Sequence, residues 1–352
     1  MLLARRGAGA RDEPGTWDTG AGALEFGWPC CRTRWTGYCD RMALTRRRLL
    51  QSLGAAAGIA GVGAGGIALV DAEVLPGRSA LNQTLGRCNA REPDAPRVPA
   101  PAPVTGSFRS AARRRQVAFA IAYPPGYAPG ARLPVCLALH GYGSDSRGTI
   151  QAGGYSELLA GDGSSSGRGE PEPSKPSQGV TPFALAAPDG GNGYWHPHAD
   201  DDPLGMLVDE FLPLLAERGL RTDRVAVAGW SMGGYGALLA ALTYPDRFRA
   251  VVATSPAIFH SYADAKRVNA GAFDSADEWA RYDVTARAHE FAGLPVRIAI
   301  GAADPFADAV RTLRERLPDP SAVEITTGCH DDHYWRSVAP GQVRAIGAAL
   351  AD

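Results

Sequence analysis

Short runs of apolar residues recur along the chain from about residue 116 onward, at 116–123, 133–139, 182–187, 225–228, 250–254, 295–301 and 322–327. Glycine, proline or charged residues bound most of them; Pro124-Pro125-Gly126, for example, ends the first. Runs of this length with such borders predict strands buried on both faces. Between them lie stretches with helical spacing. Residues 206–218 place Leu207, Phe211, Leu214 and Leu215 on one face, and Pro305 suits the first turn of a helix over 306–317. Strands alternating with helices predict a mainly parallel sheet with helices on both faces, an α/β fold. No internal repeat is evident.

The remaining chain breaks this pattern. Residues 161–179 contain Gly, Ser, Pro and Glu but no apolar residue, which predicts a disordered surface insertion. Residues 94–103 are proline-rich and read as an extended linker. Arg46, Arg47 and Arg48 precede a low-charge, Ala/Gly-rich stretch over 52–70. A twin arginine ahead of a weakly apolar segment resembles a Tat export signal, with a membrane anchor as the alternative and 70–72 as a cleavage candidate. The organisation expected is therefore an extension over 1–41, disordered or upstream of the true start at Met42; a signal or anchor over 42–72; an arm over 73–106; and a catalytic domain over 107–352. The formal net charge is −1, so composition implies no nucleic-acid partner. Export leaves Cys88, Cys136 and Cys329 in the mature chain. Cys136 lies in an apolar run and reads as a buried side chain. Cys88 and Cys329 fall in loops, and in an oxidising compartment they either pair or stay free.

The chemistry concentrates at the ends of the predicted strands. The run at 225–228 leads into Gly229-Trp230-Ser231-Met232-Gly233 and then an Ala/Leu-rich helix. This is G-x-S-x-G in a strand–turn–helix setting, which exposes a nucleophilic serine on a strained turn. Asp304 lies just past the strand at 295–301, and either serves as the triad acid or caps the next helix. Asp308 is the second candidate for the acid. His330 follows Gly328-Cys329 after the last strand and is placed to take the Ser231 proton; His333 is the second candidate. His140-Gly141-Tyr142-Gly143 ends the strand at 133–139, so Tyr142 N–H and Met232 N–H are the expected oxyanion donors. His196, His198 and His260 have ordinary loop readings, and no metal spacing is apparent. Asp201 and Asp202 read as a solvated charged loop. Loops following the strands over 189–202 and 256–283 are expected to shape the pocket, with His140, Tyr194, Trp195, Trp230 and Phe259 as candidates, although for any single aromatic packing onto the domain is the favoured reading.

The segments 139–145 (LHGYGSD), 187–191 (APDGG), 229–237 (GWSMGGYGA), 254–259 (TSPAIF), 301–306 (GAADPF) and 328–335 (GCHDDHYW) together resemble the α/β-hydrolase esterase group. That group includes S-formylglutathione hydrolase and the antigen 85 mycolyltransferases. The resemblance implies an α/β-hydrolase fold and a cofactor-independent serine esterase acting on a small-molecule or lipid ester. It leaves two alternatives. One is acyl transfer to a sugar or lipid alcohol, although the antigen 85 proteins usually carry glutamate where this chain offers Asp304. The other is a non-catalytic envelope protein on the same scaffold.

Overall fold

The computed structural model of the protein describes residues 78–91, 100–160 and 180–351. The expected extension (1–41), signal or anchor (42–72) and insertion (161–179) lie outside the described residues. An eight-stranded sheet runs in the order β1-β2-β4-β3-β5-β6-β7-β8. The strands are β1 (Val104–Ser110), β2 (Arg115–Ala122), β3 (Pro134–Leu139), β4 (Ala184–Pro188), β5 (Arg221–Trp230), β6 (Ala250–Thr254), β7 (Val296–Gly301) and β8 (Val323–Thr326). From β4 to β8 all neighbours pair parallel, whereas β1 and β2 form an antiparallel hairpin, and β2 pairs antiparallel with β4.

The period-two geometry of a strand divides the apolar runs of the central strands between two cores. In β3, Val135, Leu137 and Leu139 enter one core, while Cys136 and Ala138 enter the other. The first core lies beneath the helix Met232–Thr243 and the continuous helical segment over 203–217. The second lies beneath the helices Ser146–Gln151, Tyr155–Ala160 and Asp332–Leu350. Its sheet side is small, with Ala122, Ala138, Ala187, Ala226 and Ala228. Tyr155 and Trp230 fill the space, meeting edge to face at 4.9 Å. Burying aromatic side chains of this size stabilises each by roughly 2–3 kcal/mol relative to exposure. Within this core the Tyr155 hydroxyl donates to Gln342 Oε1 at 2.7 Å, which satisfies both groups.

β1 departs from the expected organisation, in which 104–106 belonged to the arm. Its residues are mostly exposed or half-buried, so the strand leaves no apolar run to read. The hairpin turn is instead fixed by tertiary contacts. Glu210 Oε1 accepts from the amides of Ala111 and Ala112 at 2.9 and 3.0 Å. Buried Arg113 makes a two-pronged contact with Asp201, at 2.6 and 2.8 Å, and also donates to the Asp189 carbonyl. The acidic run is thus not simply solvated: Asp201 pairs with Arg113, and Asp202 caps the next helix by accepting from Gly205 N at 2.8 Å. That helix starts at Pro203, earlier than its apolar face suggests, because Asp202 and Pro203 supply its cap and first turn.

Candidate active site

The sheet order reverses at β3, with β4 on one side and β5 on the other. The crevice at such a switch point, beyond the carboxyl ends of the strands, is where α/β sheets bind ligands. Here it lies between the β3 turn and the β5 turn. Ser231 has φ 56° and ψ −120°, a left-handed conformation that favours glycine. The surrounding backbone holds it there. Ser231 N donates to Thr254 O at 3.0 Å, and Ser231 O accepts from Tyr235 N and Ala257 N at 3.1 and 3.0 Å. A Cβ at Gly229 would lie 2.1 Å from Gly233 O, and one at Gly233 would lie 1.9 Å from Leu139 O. Both glycines are therefore required by backbone contact.

His330 Nε2 lies 2.9 Å from Ser231 Oγ, and His330 Nδ1 lies 2.8 Å from Asp304 Oδ2. Asp304 is 1% exposed, and its Oδ1 accepts from Phe306 N at 2.9 Å, so neither carboxylate oxygen is left unpaired. The Asp304 contact puts the proton on Nδ1 and leaves the Nε2 lone pair directed at the serine. Burial works against the charged imidazolium. The Asp304 charge and hydrogen bond, with Asp331 adding to them, outweigh it and raise the His330 pKa above its ordinary value of 6.5. Edge-to-face contacts with Phe306 and Trp335, at 5.3 and 5.6 Å, set the imidazole plane. Asp308 and His333 stand apart from this arrangement. Asp308 is exposed and pairs with Arg311, and His333 is exposed on the first turn of the C-terminal helix.

The loops carrying the acid and the base are fastened to each other. Ala302 N donates to Thr326 O at 2.7 Å, and Ala303 N to Gly328 O at 3.0 Å. The N-terminal arm then fastens both loops. Cys88 and Cys329 form a disulfide with their Cα atoms 4.8 Å apart. Buried Asn82, on the helix Arg78–Thr84, donates to Ala303 O at 3.3 Å and accepts from Arg87 at 3.2 Å. The sequence offered the cysteines as a candidate pair but gave no sign of Asn82, a polar residue among polar neighbours.

On the β3 side, a Cβ at Gly141 would lie 3.4 Å from Ser231 Cβ, which places this turn against the nucleophile. Gly143 N donates to Asn192 Oδ1 at 2.8 Å. Among the described residues, neither Tyr142 N nor Met232 N donates to a protein acceptor. Met232 directly follows Ser231, and Tyr142 directly follows Gly141 on the turn that meets it.

The five pocket candidates are packing groups. His140, Tyr194, Trp195, Trp230 and Phe259 are 1%, 3%, 0%, 1% and 8% exposed. His140 Nε2 accepts from Gly190 N at 2.8 Å, and Nδ1 donates to Gly141 O at 2.8 Å, so it ties the β4 loop to the oxyanion turn. Trp195 stacks edge to face on His140 and donates through Nε1 to His140 O at 3.2 Å. Trp230 faces the opposite core, away from the Ser231 side of its strand. Tyr194 packs against Tyr235, Phe259 and Phe273. Phe259 packs edge to face on Phe306, which in turn meets the His330 ring. The strand-end loops direct these aromatics inward because their apolar area outweighs any exposed role.

The family described as "Putative esterase" matches residues 110–338. The S-formylglutathione hydrolase of Paracoccus denitrificans is 31% identical over 222 residues, which is 59% of this chain and 78% of that relative. A ferulic acid esterase superposes with a TM-score of 0.56 at 19% identity, covering 71% of this chain and 98% of the other. An S-formylglutathione hydrolase from Agrobacterium tumefaciens gives 0.53 at 17% identity, covering 70% and 95%. The two structural likenesses show the α/β-hydrolase fold, and the family match together with the Paracoccus relative shows the rest: the chain belongs to this esterase family and is a carboxylic ester hydrolase.

Proposed function

We propose that this chain hydrolyses carboxylic esters and small thioesters through an acyl-serine intermediate on Ser231. The observation that carries the reading is the continuous hydrogen-bonded line from Asp304 through His330 to Ser231 Oγ. In this mechanism His330 Nε2 takes the Ser231 proton as Oγ attacks the ester carbonyl. Asp304 stabilises the imidazolium that forms. The Tyr142 and Met232 amides receive the oxyanion of the tetrahedral adduct. His330 then returns the proton to the leaving alcohol or thiol, whose bond to the acyl carbon breaks. Water, deprotonated by the same nitrogen, attacks the acyl-serine; the bond from the acyl carbon to Oγ breaks, His330 returns the proton to Oγ, and the acid is freed. Every proton passes through His330, and none of these steps requires a metal or organic cofactor. The relative's name supports including thioesters, since that protein is a hydrolase of an S-formyl conjugate.

The disulfide at Cys329 supports an exported enzyme, because such bonds persist in oxidising compartments. The twin arginine ahead of 52–70 supports a Tat route. Among the described residues no helix is long and apolar enough to cross a membrane.

A fluorophosphonate probe, with p-nitrophenyl esters of graded acyl length and a formyl thioester as substrates, tests the chemistry. Labelling that maps to Ser231 and a pre-steady-state burst of alcohol support the acyl-enzyme. Unlabelled Ser231, or activity that survives Ser231→Ala, overturns it. A reporter fused to residues 42–72 tests export: it should leave the cytoplasm only with intact arginines and a functional Tat system.

A further inference from the structure

His196, His198 and Glu278 come together across two loops that the proposed catalytic mechanism does not use. One donor atom from each lies within 4.8 Å of the other two. Asp274 joins them, with its Oδ2 3.7 Å from His198 Nδ1. The hydrogen bonds around the rings decide which nitrogens are free. His196 Nε2 lies 2.7 Å from Ala272 O, and His198 Nε2 lies 2.8 Å from Gly193 O. A carbonyl can only accept, so each Nε2 donates; in neutral His198 this leaves the lone pair on Nδ1, while His196, with a carbonyl at both nitrogens, frees Nδ1 by keeping the shorter Nε2 bond. Those lone pairs meet further acceptors. His196 Nδ1 is 3.1 Å from Pro197 O, and His198 Nδ1 faces the Asp274 carboxylate. Glu278 Oε2 accepts from Asp274 N, which orients the carboxylate and leaves Oε1 unused by that bond. One ring nitrogen of each histidine and the Glu278 carboxylate thus lie within 4.8 Å of one another, with Asp274 beside His198, an arrangement that a cation relieves.

We propose that His196, His198 and Glu278, with Asp274 as the fourth donor, bind a divalent metal of the zinc class. Both imidazoles hold the backbone contact that orients metal-bound histidines, with the distal N–H on a carbonyl. Two imidazoles exclude calcium and magnesium as the preferred ion, while two carboxylates and two nitrogens suit tetrahedral zinc. Donors around zinc sit about 3.3 Å apart, so the three must close from within 4.8 Å and the exposed Asp274 side chain must turn in to complete the set. Stacking of His196 between Phe273 and Tyr282, at 4.8 and 4.7 Å, fixes one ligand in place. With four protein donors the site is structural. It joins the β4 loop, whose Asn192 reaches the oxyanion turn, to the 271–282 segment. The sequence hid it: His-x-His is a weak pattern, and Glu278 lies 80 residues beyond His198.

The test uses the full chain with its free thiols alkylated, so that sulfur cannot compete for zinc. The protein is loaded with Zn2+, passed through gel filtration and assayed for metal. About one zinc per chain should be retained, and excess Zn2+ over EDTA should raise Tm by about 5 °C. His198→Gln keeps a donor for Gly193 O but lacks the ligand nitrogen. Glu278→Gln keeps an acceptor for Asp274 N but lacks the charge. Both variants should lose the retained zinc and the Tm rise. Co2+ should give wild type the visible bands of a tetrahedral nitrogen–oxygen site, a readout that needs no variant. Zinc well below one per chain overturns the proposal. So does zinc held equally by both folded variants, or a His196 or His198 ring found doubly protonated in zinc-loaded protein.

Discussion

The turn after β5 and the turn after β4 both hold non-glycine residues at positive φ, Ser231 at 56° in the first, Tyr194 at 56° and Trp195 at 62° in the second. Such residues each cost on the order of 1–3 kcal/mol, so both turns need outside support. At the β5 turn the support is local backbone. Gly229 and Gly233 lie within two residues of Ser231, and what they avoid is main-chain carbonyl. At the β4 turn the support is distant side chains. A Cβ at Gly190 would lie 2.3 Å from the Trp195 ring, and one at Gly236, on the nucleophile helix, would lie 2.6 Å from it. Arg113 reaches across from the β1–β2 hairpin to pair with Asp201 in the same loop. The first turn exposes a reacting atom and the second buries aromatic area. Strain held by neighbouring glycines leaves a side chain free to react, whereas strain held by packing commits it.

The largest effect should follow from breaking the first turn's chemistry without touching its support. Ser231→Ala and His330→Ala are each expected to lower kcat by about 10³-fold or more, which is on the order of 4 kcal/mol. The double variant should lose little further, because the two groups act as a unit. Asp304→Asn should cost less than Ser231→Ala. Ester hydrolysis read together with thermal unfolding checks the contrast: Ser231→Ala should leave Tm within about 2 °C of wild type. A large fall in Tm would mean that Oγ itself supports the turn.

The second turn should respond in the opposite way. Arg113 is 2% exposed, and Arg113→Ala would leave Asp201 without its buried partner. Breaking a buried pair typically costs about 3–5 kcal/mol, and Asp201 is partly solvated and also meets Arg115 at 3.0 Å, so the lower end applies. For a domain of this size that is roughly a 10 °C fall in Tm. At temperatures well below the transition kcat should stay within a few-fold of wild type. A 10³-fold loss of kcat in a folded variant would instead show that this loop takes part in the chemistry.

The same contrast explains what the sequence could reveal. The strands, the elbow and the order Ser231, Asp304, His330 were legible because local pattern dictates them: apolar runs, flanking glycines and strand-end positions. The hairpin strand β1 was not, since its residues are mostly exposed. Nor was the inward role of Tyr194 and Trp195, because an aromatic in a Gly-rich loop reads alike whether it lines a pocket or fills a core. His140 resembled a pocket residue and is an internal tie between two loops. Asn82 left no pattern, since its partner at Ala303 is 221 residues away.

A third experiment asks how far the arm supports the reacting end. Replacing Cys88 and Cys329 together by serine opens a loop of 241 residues. The chain-entropy model gives about 4–5 kcal/mol for a loop of this length, and measured values are typically about 2–4. Because Cys329 adjoins His330, the loss should also reach catalysis, as a fall of a few-fold in kcat with KM little changed. Reduction of wild type by dithiothreitol should reproduce both effects, and the Cys pair variant should be indifferent to the reductant. Unchanged Tm after verified reduction would show that Asn82 and the β7–β8 contacts suffice to hold the loops.

The smallest effect, and the sharpest on the triad itself, is a pH displacement. His330 must be neutral at Nε2 to accept the Ser231 proton, so activity falls as the ring becomes protonated on acidification. Asp304 raises the His330 pKa above 6.5 against the opposing effect of burial. The acid limb of kcat/KM should therefore turn over above 6.5, with a limiting slope of one. In Asp304→Asn the attractive charge is gone and burial remains, so the residual activity should show its inflection at lower pH than wild type. Arg113→Ala should leave the inflection unmoved, because Arg113 makes no contact with His330. This displacement separates the acid's electrostatic role from simple orientation of the ring. If Asp304→Asn loses activity but keeps the wild-type inflection, Asp304 acts by placing His330, and the charge that raises its pKa comes from elsewhere, with Asp331 the first group to neutralise.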